Sequence, residues 1–298
     1  MKKAIAKKLE RRDLKEFWRV IWPMDEFKEI KRLFHRIQGK HSLWVIYTDF
    51  LELVAIDISQ ATNKIAFGEK DEDREKRYIQ IGKKYEKEDM ENFAKILGLI
   101  VILQDKSLEK KEGYRDILGQ LMMELGLGNK WQGQFFTPDK LSRLMAGLGF
   151  DSEQVKKDIE EKGYVSGFDE ACGAGVTMLS LANEMMARGY NPQSELYVDC
   201  GDLDSTACYM AYIQLSLAGI PARVRNRDSL TGKTYEKWFT PQFWLGYWPS
   251  KLNGSYKKLK KFRRAIDEVI RLEKDYEEKK EKKKIKKGKE IIEQISFL

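Results

Sequence analysis

Apolar residues recur at two spacings along the chain, and the change from one to the other divides it. In the first 130 residues they recur every three or four positions, as at Phe93, Leu97 and Ile100, which is the spacing of a helix. The charge-rich segment 68–89 predicts a solvated loop or the exposed face of a helix. We therefore predict a helical N-terminal domain over residues 1–130.

Short apolar runs then alternate with helical ones. The segments around Val165 to Phe168, ELYVDCGDLD and IPARVRNRDSL predict three strands, and the runs VTMLSLANEMMARG and STACYMAYIQLSLAG predict the helices between them. Strands and helices alternating at these lengths indicate an α/β fold with a parallel, doubly wound sheet. We assign this domain to residues 131–250.

A helix start is predicted at the boundary between the two rhythms. Thr137 is suited to the N-cap and Pro138 to the first helical position, and apolar residues then line one helix face: Leu141, Leu144, Met145 and Leu148. Phe136 and the residues before it place aromatic and amide groups beside free N–H groups, a setting suited to an anion. A hydrophobic staple onto the core is the alternative.

The positive charge is concentrated at the end of the chain. The formal net charge is +8, and residues 251–289 hold 17 Lys and Arg against 7 Asp and Glu. Within residues 251–298, apolar residues at Leu259, Phe262 and Ile266 predict an amphipathic helix with a cationic face. Such a face attracts phosphates, although a solvated helix without a specific partner has the same composition.

Composition also argues against several classes of protein. The longest apolar run, Ile96 to Leu103, is far shorter than the roughly 20 residues of a membrane span, and the N-terminus is charged where a signal peptide is apolar. We therefore predict a cytoplasmic protein with no membrane contact. The three cysteines form no CxxC pair, which predicts reduced thiols. His35 and His41 are the two histidines, too few for a His-based triad or a typical zinc site, so no metal is predicted.

Glycines and acidic residues fall where the predicted strands end. The acidic residues are Asp169, Asp202 and Asp228, and Gly173 and Gly175 follow the first strand. In such sheets ligands bind beyond the carboxyl ends of the strands, glycines let the backbone approach the ligand, and a carboxylate after the second strand can accept both ribose hydroxyls. This pattern fits an adenosyl ligand.

Two other interpretations of these residues remain open. A dinucleotide would use a similar turn, but Met178 stands where the dinucleotide fingerprint has its third small residue, and a lone GxG is a weak signal. Acidic residues after strands also serve as ordinary helix caps.

The order of the motifs resembles a known family. GQFFTP, DEACGAG, DLDSTACYMAYIQLSLAGI and NRDSL resemble, in this order, the motifs of the N6-adenine DNA methyltransferases of type I restriction-modification systems. The likeness spans roughly Asp116 to Leu230. It implies a Rossmann-like methyltransferase domain that uses S-adenosylmethionine (SAM), DNA as a partner of the basic tail, and assembly with a restriction-modification subunit or with further copies of the chain.

The resemblance also implies roles for individual residues. The residues along the methionine part of SAM would be Phe136, Thr137 and Pro138. The residues of the turn beneath it would be Asp169, Gly173 and Gly175. Asp202 would hold the ribose, and Asp228 would hydrogen-bond the adenine amino group.

The family's next motif, NPP[FYW], is missing. Its Asn side chain and Pro carbonyl accept hydrogen bonds from the target amine, and its aromatic ring stacks on the flipped base. NGSY, with Asn253 and Tyr256, has the frame of that motif, but the FTPQFWLGYWPSKL segment before it does not read as an apolar strand. The aromatic residues between Trp238 and Trp248 are more simply explained as cover for a shortened sheet.

Two functions therefore stay open at the level of sequence. One is a small DNA adenine methyltransferase with a divergent catalytic loop, acting alone or completed by another subunit. The other is a pseudoenzyme that binds SAM and DNA as a regulatory, anti-restriction or assembly partner. A nicotinamide-dependent oxidoreductase is disfavoured, because the glycine turn is wrong for it and no Tyr-Lys pair or His acid is evident.

Overall fold

The structure is a computed structural model that describes residues 25–127 except 38 and 40, residues 137–254, and residue 271. Three of the sequence predictions fall outside these residues. They concern Phe136, Tyr256 and the amphipathic helix of the tail.

Five helices form the described N-terminal part: α1 (Glu26–Ile37), α2 (Leu43–Phe67), α3 (Glu72–Gly82), α4 (Lys87–Glu109) and α5 (Ile117–Glu124). The predicted helical character of this part is confirmed. In α2, the Ser42 side chain accepts a hydrogen bond from the Val45 N–H, and Gly68 ends the helix in the left-handed conformation. Among the described residues, no helix is both long and apolar enough to cross a membrane.

A four-stranded sheet follows, in the order β1 (Val165–Asp169), β2 (Leu196–Asp202), β3 (Ala222–Arg227) and β4 (Thr234–Phe239). Helix α8 (Val176–Ala187) connects β1 to β2, and α10 (Ser205–Leu217) connects β2 to β3. The first three strands are parallel, with Gly167 beside Val198 and Val198 beside Ala222. The predicted α/β class and the three predicted strands are confirmed.

The described sheet differs from the predicted one in two respects. Its strand order does not reverse, so the doubly wound arrangement is not seen among the described strands; α8 and α10 both pack over Val198, Cys200 and Val224. Residues 234–239, for which no strand was predicted, form β4. This strand returns antiparallel along β3 and buries Trp238 completely.

Aromatic residues cover part of the other face of the sheet. Helices α11 (Pro241–Leu245) and α12 (Trp248–Leu252) place Phe243 and the fully buried Trp248 against Tyr197 of β2. The Trp248 and Tyr197 rings stack with their centroids 5.9 Å apart. This packing is what the sequence predicted for the aromatic segment.

One apolar core runs from the N-terminal helices into the sheet. It includes Ile30, Phe50, Leu118 and Met210, and the Tyr47 hydroxyl of α2 donates to the Leu118 carbonyl at 2.7 Å. The helical part therefore packs directly on α10 and, through it, on the sheet.

The remaining helices are α6 (Asp139–Gly149), α7 (Ser152–Lys162) and α9 (Pro192–Glu195). Helix α6 starts one residue later than predicted: Pro138 is its N-cap because its backbone is extended while its carbonyl accepts from the Leu141 and Ser142 N–H groups. Its apolar face is exposed at Leu141, Leu144, Met145 and Leu148, whereas Ser142 is buried against α8.

Candidate functional site

Two left-handed glycines shape the turn between β1 and α8. Gly173 has φ of +53° and Gly175 has φ of +89°, a region that residues with a side chain rarely occupy. A Cβ on Gly175 would also lie only 3.2 Å from the Cβ of Ala211 in α10. Glycine at 175 thus serves both the turn and the close approach of α8 to α10.

The end of β2 is tied directly to this turn. The Gly173 N–H donates to Asp202 Oδ2 at 2.9 Å, and the Asp204 N–H donates to Asp202 Oδ1 at 3.0 Å. Burial raises the pKa of Asp202, and these two hydrogen bonds act in the opposite direction. A carboxylate offers about four acceptor positions, so Asp202 keeps acceptor capacity beyond these two contacts.

Asp169, the last residue of β1, binds groups on both sides of the glycine turn. Its Oδ1 accepts from the Ala171 N–H at 3.0 Å, and its Oδ2 accepts from the Thr177 hydroxyl at 2.6 Å. Both oxygens are engaged by the protein itself. The structure thus gives Asp169 a local supporting position and adds Thr177, which the sequence did not single out.

Asp228 lies in the turn that joins β3 to β4. Its Oδ1 accepts from the Leu230 N–H at 2.9 Å and from the Thr231 N–H at 3.2 Å. Hydrogen bonds from Thr231 and Leu230 lower the pKa of Asp228, which therefore favours the carboxylate form.

Asn226, which sequence analysis missed, connects the second and third strand ends. It pairs with Asp202 in the β2–β3 register, and its Nδ2 donates to the Leu203 carbonyl at 2.8 Å and to the Asp202 carbonyl at 3.3 Å. Asn226 is the first residue of NRD, and nothing in the spacing of the residues around it marks it as a contact. Only the register of the parallel pair reveals this contact.

Glu170 makes a second connection between the turn and β3. Its Oε1 lies 3.0 Å from Arg225 Nη2 and 2.9 Å from Arg227 Nη1, and its other oxygen, Oε2, is buried without a hydrogen-bond partner. These ion pairs fix the spacing between the glycine turn and the strand that leads to Asp228.

The other predicted site residues are placed less favourably. Thr137 and Pro138 precede α6, whose Ser142 hydroxyl donates to the Val176 carbonyl next to the glycine turn. Asn253 ends α12, which is anchored at the opposite, amino edge of the strands, where Lys251 Nζ donates to the Ser194 carbonyl. The structure therefore does not bring Asn253 to the turn that holds Asp202.

A cavity of about 380 Å³ lies elsewhere, between α3 and β4. Its two arginines are already engaged: Arg74 stacks 3.7 Å from the Trp238 ring centroid, and Arg77 Nη1 donates to Glu236 at 2.8 Å. We regard it as part of the contact between helix and strand rather than as a ligand site.

A comparison with protein families finds a match, and it contains the strand ends described above. Residues 114–244 match the N-6 DNA methylase family. The matched segment begins before α5, contains all four strands and ends in α11. The resemblance drawn from the motifs is thus confirmed for these residues.

Two solved structures are similar in part. One is a type I restriction-modification system methyltransferase subunit from Streptococcus thermophilus, 14% identical, with a TM-score of 0.31 over 69% of this chain and 58% of that one. The other, from Listeria monocytogenes, is described as a class I S-adenosylmethionine-dependent methyltransferase: 16% identity, TM-score 0.27, 60% and 52% coverage. The chain thus spans just over half the length of these proteins. The search of curated proteins gave no match.

Proposed function

We propose that this chain binds SAM at the carboxyl edge of its sheet and also binds DNA, as a DNA adenine-N6 methyltransferase-like protein. The observation that carries the proposal is the 2.9 Å hydrogen bond from the Gly173 N–H to Asp202, which joins the glycine turn to the acidic end of the next strand. The family match over residues 114–244 supports the same conclusion.

The donor and acceptor groups at this edge suit the parts of SAM. Asp202 retains acceptor capacity for ribose hydroxyls, and Asp228, with its lowered pKa, can accept from an adenine amino group. Left-handed Gly173 carries no side chain that would keep a ligand away from the backbone of the turn. When bound, SAM supplies a methyl group on a positively charged sulfonium.

Titration calorimetry with SAM tests the binding proposal. Asp202→Ala should weaken binding by about 1.5 to 3 kcal/mol, the range for hydrogen bonds to a charged group. Asp73→Ala is a suitable control, because that side chain is 91% exposed and lies on α3. Absence of any binding heat from the unmutated protein at millimolar SAM would end the proposal.

We further propose that the chain transfers no methyl group unaided and serves as a SAM- and DNA-binding regulatory, anti-restriction or assembly partner. Adenine methylation needs a group that accepts from the target amine and an aromatic ring that holds the flipped base near the sulfonium. Within the described residues, β1 pairs only with β2, β4 turns back along β3, and Asn253 lies at the amino edge. None of these elements supplies that acceptor at the glycine turn.

An active methyltransferase is the second candidate, and one experiment separates the two. The chain is expressed in a methylase-free host, and plasmid DNA is analysed for N6-methyladenine. We expect none above the empty-vector control. Methylated adenine that disappears with Asn253→Ala would instead make NGSY the catalytic loop.

A further inference from the structure

A buried glutamine on α10 joins the helical part of the chain to the glycine turn. Gln214 is 6% exposed and uses its whole amide group: Oε1 accepts from the Leu118 N–H at 3.1 Å, while Nε2 donates to Asp116 Oδ1 at 2.9 Å and to the Ala174 carbonyl at 2.8 Å. Two of its partners belong to the start of α5, and the third lies between the two left-handed glycines.

The α5 end of this connection is itself held in place. Asp116 is the N-cap of α5, and its Oδ1 also accepts from the Gly119 N–H at 2.8 Å. A side chain on Gly119 would collide with the Asp116 carboxylate. Since Tyr47 of α2 donates to the Leu118 carbonyl, the hydrogen bonds form a continuous path from α2 through α5 and Gln214 to Ala174.

The glycine turn is restrained from two sides. Its glycines can adopt many backbone conformations, so the hydrogen bonds around them select one. From the sheet side, Asp202 accepts from the Gly173 N–H, and the Gly201 carbonyl of β2 accepts from the Cys172 N–H at 2.9 Å. The Ala174 carbonyl is held by Gln214 from the helical side.

We propose that Gln214 and Asp116 are positioning residues that hold the glycine turn in its SAM-binding conformation. The inference rests on the proposed function. It makes the N-terminal helices part of the cofactor site: whatever displaces α5 changes the affinity for SAM, and SAM in turn stabilises the seating of α5.

A matched pair of glutamines separates positioning from mere stability. Gln60 on α2 is equally buried at 6%, and its side chain also makes three hydrogen bonds, with Asp71 and Glu75, far along the chain from the turn. Gln214→Leu and Gln60→Leu should lower the unfolding free energy to a similar extent in urea. Only Gln214→Leu should raise the SAM dissociation constant, by about tenfold, the loss expected for one hydrogen bond with unpaired partners.

A second pair of variants covers the case in which Gln214→Leu does not fold. Asp116→Asn keeps a carbonyl oxygen that can accept from both Gly119 and Gln214, so it should bind SAM as the unmutated protein does. Asp116→Ala removes the acceptor and should weaken binding. This rescue by the conservative variant is not expected if the negative charge itself contacts SAM.

The outcomes of these measurements are distinct. If the unmutated protein binds SAM and Gln214→Leu binds equally well, or if both glutamine variants weaken binding alike, the positioning role is refuted while the proposed function stands. If the unmutated protein binds no SAM, the proposed function fails and this inference fails with it.

Discussion

At the scale of single residues, two glycines with the same backbone conformation differ in how closely other residues pack against them. Gly175 and Gly189 have similar φ values, +89° and +82°. A Cβ at 189 meets nothing within 4 Å, whereas a Cβ at 175 meets Ala211. The two positions therefore form a matched pair.

Gly175→Ala and Gly189→Ala should each lose about 1 to 2 kcal/mol of unfolding free energy from the left-handed backbone. Gly175→Ala should lose more, because α8 must move away from α10, and its SAM affinity should fall about tenfold or more since the turn moves with the helix. Urea unfolding and calorimetry on both variants check this. If the two variants bind SAM equally well, the conformation of the glycine turn does not affect SAM affinity.

Asp116 provides a prediction about pH. Burial raises its pKa above 3.8, so the folded protein keeps this proton to a higher pH than the unfolded chain does. As the pH rises from the pKa of the unfolded carboxyl toward that of the folded one, the unfolded chain loses the proton first. The unmutated protein then loses stability relative to Asp116→Asn, whose amide does not titrate. In urea titrations, the stability of Asp116→Asn relative to the unmutated protein should grow as the pH rises above about 4, the usual pKa of an aspartate in an unfolded chain. If the difference in unfolding free energy between the two proteins does not change with pH, the pKa of Asp116 is not raised by folding.

The residues of the site were only partly predictable. Asp202, Gly173 and Gly175 were predicted to lie at one edge because strand ends and left-handed turns have sequence signals, and the structure brings Gly173 and Asp202 into contact. Gln214 and Asn226 were not, because their contacts depend on which residues stand opposite each other once α10 and the strands are in register. The one available signal was a long polar side chain, Gln214, within the largely apolar run of α10.

At the scale of elements, the spacing of apolar residues identified the strands and helices that alternate along the chain. Helices separate strands β1, β2 and β3 along the chain, and these strands were predicted close to their observed bounds. β4 was missed because TYEKWF mixes charged and aromatic residues, and its stability comes from contacts with α3 and β3 that no local pattern encodes. In α6, the apolar pattern predicted a helix correctly but not its surroundings, because its apolar face is exposed.

The attachment of β4 to the N-terminal helices is open to a direct test. Arg77 of α3 donates to Glu52 of α2 at 2.7 Å, to Glu236 of β4 at 2.8 Å and to the Tyr209 hydroxyl at 2.7 Å. Arg77→Leu leaves three partly buried polar groups without this partner and should lower the unfolding free energy by about 2 kcal/mol or more.

Arg32→Leu is the control for this variant. Arg32 also pairs with a glutamate, Glu29, but the arginine side chain is 51% exposed and the pair lies within one helix, so its loss should cost less than about 1 kcal/mol. Urea unfolding of both variants provides the comparison. Similar losses would mean that Arg77 contributes no more than a surface ion pair.

At the scale of the whole molecule, one core joins the helices that precede the matched segment to the sheet that carries the candidate site. Tyr47 and Met210 belong to this core, and the Tyr47 hydroxyl also lies 3.4 Å from Met210 Sδ. Binding events at the N-terminal helices and at the strand ends therefore act on the same packed structure. A ligand that binds the N-terminal helices and SAM at the strand ends should therefore change each other's affinity by the same factor, as linkage requires.

The distribution of charge favours the end of the chain as the place of the proposed DNA binding. Residues 251–289 carry 17 Lys and Arg against 7 Asp and Glu, whereas the rest of the chain is close to neutral. Each neutralised phosphate releases counterions, so the logarithm of the DNA affinity should fall linearly with the logarithm of salt concentration, by about 0.9 per phosphate.

Truncation after Gly254 keeps α12, with its Lys251 contact to Ser194, and should flatten this slope. Replacing Lys282, Lys283 and Lys284 by Gln in the full chain should reduce the slope partly, because it removes charge without shortening the chain. Fluorescence anisotropy with a labelled duplex at several salt concentrations measures all three proteins. An unchanged slope after truncation would move DNA binding to the described domain and leave the tail to a protein partner.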